Sequence, residues 1–178
     1  MIWLKRIVTA LVLLVVILLV VGLFLPREVQ VERSIHIDAK PQSVFTKVTD
    51  LTQFNQWSPW YGLDPSARYE ISGKAGERGH KLAWQSDKPD VGSGSMTLIE
   101  FNAPGYVAMK LDFAGQGQAD SYFRIRPEQG GSDVTWGFRT NFGNDLVGRY
   151  VGLFMDSILG RQYEEGLAKL KKVLERRA

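Results

Sequence analysis

The chain has 178 residues, with 22 Lys and Arg against 19 Asp and Glu, two His and no Cys. A net charge of +3 offers no concentrated basic surface of the kind nucleic acids require, and the absence of cysteine excludes disulfides, thiolate catalysis and Cys-ligated zinc. Two of the positive charges, Lys5 and Arg6, precede the first apolar run, so the rest of the chain carries 20 basic against 19 acidic residues.

From Ile7 to Leu25 run 19 residues without a charge. As a helix they span about 28 Å, close to the hydrocarbon thickness of a bilayer. A cleaved secretory signal has a shorter apolar stretch and a small-residue cleavage site. This run ends Gly-Leu-Phe-Leu-Pro with no such site, so a retained signal anchor over residues 1–26 is expected. Lys5 and Arg6 before the span, against Arg27 and Arg33 after it, place the amino terminus in the cytoplasm. The expected location is a single-pass membrane protein with its domain, residues 27–178, outside the cytoplasm; in a bacterium this is the outer side of the inner membrane.

The first strand is expected at Val29 to Ile37. Val29, Val31, Ile35 and Ile37 share one face at period two, and Arg33 falls discordantly among them. Pro41 suits the first turn of a helix carrying Val44, Phe45 and Val48 on one stripe. A second short helix follows, with Thr52 as candidate N-cap, and is closed by Trp57-Ser58-Pro59-Trp60. Six strands then alternate between turns: Arg68 to Ser72, Lys81 to Gln85, Ser93 to Asn102, Tyr106 to Phe113, Ala119 to Arg126 and Asp133 to Asn141. Short connections make the sheet antiparallel, with one apolar and one charged face. Asn144 or Asp145 would cap a helical piece running to Met155. The last helix, Ser157 to Arg176, aligns Leu159, Tyr163, Gly166, Leu167, Leu170 and Leu174 to cover the apolar face.

Three stretches carry a family resemblance: Val31-Glu32-Arg33-Ser34-Ile35 followed by Pro41, Val44, Phe45 and Val48; Phe54-Asn55-Gln56-Trp57-Ser58-Pro59-Trp60; and Phe154-Met155-Asp156 with Tyr163-Glu164-Glu165-Gly166-Leu167-Ala168-Lys169-Leu170-Lys171. They resemble the polyketide cyclase/dehydrase branch of the SRPBCC superfamily, which includes START lipid-transfer domains and the birch-pollen allergens. The resemblance spans about Val29 to Leu174. It implies an α+β helix-grip fold: a curved antiparallel sheet of about seven strands wrapped on a long carboxyl-terminal helix, two short helices after strand one, and a cavity between sheet and helix.

The candidate cavity residues are Arg33, Trp57, Trp60, Trp84, Met109, Leu111, Phe113, Ser121, Phe123, Trp136, Phe138, Tyr163 and Leu167, with Thr140 as a further polar group. Each large ring is also an ordinary core residue by type. Arg33 reads two ways: pairing with the acidic head of an amphipathic ligand, or with an acid at the core edge such as Asp156. Trp57 and Trp60 read as a cavity mouth or membrane contact, or as rings closing the core. The basic tail Lys169, Lys171, Lys172, Arg176 and Arg177 reads as a lipid contact or as the wet face of the helix.

No catalytic residue, cofactor or metal is expected. His36 and His80 lack partners at catalytic or ligand spacing, and Gly92-Ser93-Gly94-Ser95 does not open a helix as a phosphate cradle does. The expected function is a membrane-anchored binding module for a hydrophobic small molecule or lipid, its partners being the membrane and that ligand. Two other readings stand beside it. One is a cyclase or dehydrase acting on an apolar substrate. The other is an interaction module, which requires an exposed apolar patch that the strand alternation does not provide.

Overall fold

The structure is a computed structural model and describes residues 2–176. Helix α1 (Ile2–Phe24) projects from the domain with nearly all its side chains exposed. Its 23 residues, with a stretch of 18 at mean hydropathy 3.4, make it long and apolar enough to cross a membrane, a property that signal sequences share.

The domain opens with β1 (Glu28–Ile37) and α2 (Pro41–Thr49), followed by a 3-10 helix, Leu51–Gln56. Pro41 occupies the first turn of α2, where its missing N–H costs nothing. The cap of the 3-10 helix is Asp50, not Thr52: the Asp50 carboxylate accepts from the Thr52 backbone N–H at 3.1 Å. An Asp two residues earlier captures the exposed donor better than the Thr hydroxyl, which itself donates to Asp50 at 2.5 Å.

Six strands follow: β2 (Arg68–Ser72), β3 (Lys81–Gln85), β4 (Ser93–Asn102), β5 (Tyr106–Asp112), β6 (Gln118–Glu128) and β7 (Gly131–Asn141). With β1 they form one seven-stranded antiparallel sheet in the order β1-β7-β6-β5-β4-β3-β2. Every neighbour after β1 is consecutive in sequence, as short turns require. Strand one returns to pair with the last strand, Val31 opposite Phe138 and Arg33 opposite Trp136.

Helix α3 (Leu146–Gly152) separates the sheet from α4 (Met155–Glu175). The expected helical piece therefore stops three residues before Met155, and Met155 belongs to the last helix. Asp145 caps α3, accepting from the Gly148 N–H at 3.0 Å. Two glycines within α3 let it lie close to the end of the sheet: a Cβ at Gly148 would meet the Phe142 ring, and one at Gly152 would meet Val29 and Phe142. Helix α4 packs on the apolar face of the sheet, chiefly over β1. Tyr163, Gly166, Leu167 and Leu170 are buried in that seam, with Leu159 and Leu174 packed at its margins. The remaining part of the face is covered by α2, whose Phe45 meets Phe101 of β4 edge-on at 6.0 Å, by the 3-10 helix against β3, and by loops.

The wet face of the sheet has its own centre. Glu32 accepts from Tyr122, from Gln30 at 2.7 Å and from Arg124 at 2.5 Å. The Tyr122 hydroxyl leads the effects that hold the Glu32 carboxyl below its ordinary value. Arg124 and Arg139 lie over the Tyr122 ring at 5.4 and 5.8 Å. His80 is fully buried and structural: its Nε2 accepts from the Leu51 N–H at 3.0 Å and its Nδ1 lies 3.1 Å from the Ser72 carbonyl.

Candidate functional site

A cavity of about 290 Å³ lies between the sheet and the amino-terminal half of α4. Its cause is geometric. Helix α4 sits over β1, and it leaves space over Trp84 of β3, Met96 of β4, and Leu111 and Phe113 at the end of β5. On β6 the residue that borders the gap is Ser121, too small to fill it.

One wall is aromatic. Trp136 stacks on Tyr163 at 4.0 Å between centroids, and Trp60 meets both edge-on at 5.8 and 6.3 Å. Phe138 extends this wall along β7. The opposite wall is Trp84, Leu111 and Phe113, with Trp84 edge-on to Phe113 at 6.4 Å. Gly94 explains why Trp84 can lie there. It stands opposite Trp84 in the register, and a Cβ on it would fall 2.7 Å from the indole. This is the role of a glycine in Gly92-Ser93-Gly94-Ser95, a structural use that the motif does not advertise. The wall residues absent from the expected set are Phe54, Ser58, Tyr69, Leu82, Met96, Ile158, Leu159 and Gln162, together with Asp90 and Val91 of the β3–β4 loop.

Of the expected residues, Trp60, Trp84, Leu111, Phe113, Ser121, Trp136, Phe138 and Tyr163 line the cavity. Trp57, Met109, Phe123 and Leu167 lie behind it in solid core, each about 1% exposed. Trp57 packs edge-on against Phe54, Phe123 and Trp136. Thr140 lies outside the cavity and donates to the Gln118 carbonyl at 3.1 Å.

Arg33 also lies outside. It donates to both Asp156 oxygens at 2.9 and 3.0 Å and to Glu164 at 2.7 Å. These acids lie eight residues apart on one stripe of α4, and Gly160 sits between them. A Cβ there would collide with the guanidinium. The hydrogen bond from Arg33 holds the Asp156 carboxyl below its usual value. The discordant arginine of strand one is therefore a clamp from β1 to α4. Both acids are well exposed, so its contribution is orienting more than energetic.

Polar atoms on the cavity wall are few. The Ser121 hydroxyl accepts from Trp136 Nε1 at 3.0 Å, and Gln162 accepts from Trp60 Nε1 at 2.8 Å. Tyr163 is buried, and burial pushes its phenol far above the ordinary value, with hydrogen bonding to Ser121 only partly opposing this. Its hydroxyl stays protonated throughout the physiological range. The exposed Ile158 and Asp90, with half-buried Val91, form the rim.

A larger recess of about 520 Å³ on the wet face of β2 to β4 is open and lined by charged side chains such as Arg68, Glu70, Lys81 and Asp112. It lacks the apolar enclosure of a small-molecule site. No cluster of three His, Cys, Asp or Glu suited to a metal occurs among the described residues.

Residues 28–175 match the family model for polyketide cyclase/dehydrase and lipid transport. No curated protein sequence matches the chain. Among solved structures the chain is similar to the protein SA2116 of unknown function from Staphylococcus aureus, at 17% identity, TM-score 0.63 and 84% and 95% coverage of the two chains. It is similar to the Aha1 dimer from Colwellia psychrerythraea, at 18% identity, TM-score 0.55 and 83% and 96% coverage. It is also similar to the di-domain aromatase/cyclase StfQ of the steffimycin biosynthetic pathway, at 10% identity and TM-score 0.60, covering 84% of this chain and 51% of that one. At these identities the likeness is one of fold.

Proposed function

We propose, from the premise that this chain belongs to the polyketide cyclase/dehydrase and lipid transport family, that its domain holds a hydrophobic small molecule between sheet and α4 while α1 anchors it to a membrane. The observation that supports this reading is the cavity. At about 290 Å³ it is roughly twice the ~150 Å³ apolar cavity that takes up benzene. It therefore fits a flat two-ring molecule or a short acyl segment. Its aromatic walls suit a planar or chain-like body, and anchoring by α1 keeps the pocket beside the phase into which such ligands partition.

The polar wall defines the ligand further. Trp136 donates to Ser121, and the Ser121 hydroxyl lies beside the Tyr163 phenol, where it partly opposes the rise that burial causes. Tyr163, which lines the cavity and stays protonated, is the donor available to whatever fills it. The fitting ligand carries one acceptor oxygen on an apolar frame.

The alternative, a cyclase or dehydrase, requires a wall group that exchanges protons near neutrality. Tyr163 is shifted away from neutrality, and the carboxylate on the wall, Asp90, is exposed at the rim. The geometry supports holding over turnover.

Tyr163→Phe tests the reading. In lipid nanodiscs, with empty discs subtracted, equilibrium dialysis is expected to show saturable binding of naphthoquinone. The variant should weaken it by about tenfold, the upper range for one neutral hydrogen bond, and leave methylnaphthalene binding unchanged. Equal losses for both probes, or non-saturable uptake, would oppose the proposal.

A further inference from the structure

The apolar patch that strand alternation does not provide is present elsewhere. Val147, Val151, Phe154 and Ile158 are 74%, 46%, 62% and 52% exposed. Their spacing of four, three and four residues draws one stripe across α3 and the first turn of α4. Leu153 beside it is 55% exposed.

The same segment is tied to α1. Arg149 is 2% exposed, and its Nη1 donates to the carbonyls of Gly22 at 3.1 Å and Leu23 at 3.0 Å. Its Nε and Nη2 donate to Gly143 at 3.1 and 2.6 Å. A guanidinium thus closes the carboxyl-terminal carbonyls of α1, where helix partial charge and unpaired acceptors both favour a cation. Tyr150 donates to the Leu18 carbonyl at 2.6 Å. Gly22 allows this approach: a Cβ there would lie 3.2 Å from the Tyr150 ring and 3.5 Å from Leu146. Leu18 is six residues before the end of α1, about 9 Å along the axis. Interfacial helices bury their apolar face to a depth of about 5–10 Å. If α1 spans a bilayer, α3 is held at that depth.

Ile158 joins the two features. It ends the exposed stripe and lines the cavity together with Leu159. An apolar path therefore runs from the end of α1, over Val151 and Phe154, to the rim of the pocket.

We infer that Val147 to Ile158 forms an interfacial foot, sunk into the leaflet around the end of α1, that presents the cavity rim to the acyl region. This rests on the reading of α1 as a membrane span. A hydrophobic ligand then enters from the leaflet over apolar surface and does not cross water. The opposite end of the domain stays in solvent. Ile37 at the far end of β1 pairs with Ser132, so the β6–β7 turn at Gln129 lies remote from α1.

The chain has no cysteine, so single reporters are placed without a background substitution. Full chain carrying Leu13→Cys, Val151→Cys, Phe154→Cys or Gln129→Cys is labelled with a polarity-sensitive fluorophore and reconstituted in phosphatidylcholine vesicles. The quencher is phosphatidylcholine bearing a nitroxide on its acyl chain. The expected result is blue-shifted, quenched emission at positions 13, 151 and 154, and unquenched emission at 129. Quenching at 13 with water-like, unquenched emission at 151 and 154 would overturn the foot and leave the anchor standing. Unquenched emission at 13 would overturn both.

Discussion

Leu111→Trp is expected to abolish ligand binding and leave the domain as stable as the parent. Leu111 faces the cavity from β5, between Met96 on β4 and Ala119 on β6. An indole at that position projects into the open volume and takes the space of the ligand. In a solid core the same enlargement forces side chains off their rotamers and costs about 1–3 kcal/mol. Into a cavity of about 290 Å³ it adds contacts without displacing neighbours. Thermal unfolding should therefore stay within about 1 kcal/mol of the parent, and naphthoquinone affinity should fall by more than about tenfold, or ~1.4 kcal/mol. A large loss of stability with ligand affinity retained would mean that the wall is packed core.

Trp57→Ala is expected to have the opposite signature. Trp57 is 1% exposed and touches Phe54, Phe123 and Trp136 behind the wall. Its truncation should cost about 3–5 kcal/mol, a fall in Tm on the order of 10 °C for a domain of this size. Trp57→Phe should cost far less. It keeps a ring in place and removes an indole N–H that is buried without a hydrogen-bond partner. Differential scanning calorimetry of both variants separates the cases; equal, small shifts would place Trp57 at a mobile mouth.

The contrast between Trp57 and Trp60 shows where sequence reading stops. They lie three residues apart beside one proline, and nothing in their spacing tells which fills the core and which faces a void. The same holds along the strands. Met109 and Leu111 share the inner face of β5, yet only Leu111 borders the cavity; Phe123 and Ser121 divide in the same way on β6. Period two assigns a face, but the lateral position of α4 over that face decides what stays open.

The strands themselves were legible, because alternation and short turns fix both type and pairing. The discord at Arg33 was legible too, and its partner Asp156 is among the acids expected at the core edge. Helix α3 was not resolved from its neighbours. It has seven residues, two of them glycine, and its order comes from packing on Phe142 and Val29 and from the bonds of Arg149 and Tyr150 to α1. Such contacts have no local signature. The fold ties part of the basic tail to the domain. Lys171 donates to the His36 carbonyl at 2.9 Å and pairs with Glu175, so this end of α4 lies beside the end of β1 remote from α1. Arg177 of that tail lies outside the described residues.

One comparison tests most directly whether the space between the sheet and α4 encloses a ligand. The full chain and Leu111→Trp are purified identically from membranes, extracted with organic solvent and quantified by mass spectrometry, so that lipid bound around α1 cancels. The expected result is one apolar, oxygen-bearing compound near equimolar with the parent protein and missing from the variant. Identical extracts from both would contradict the account.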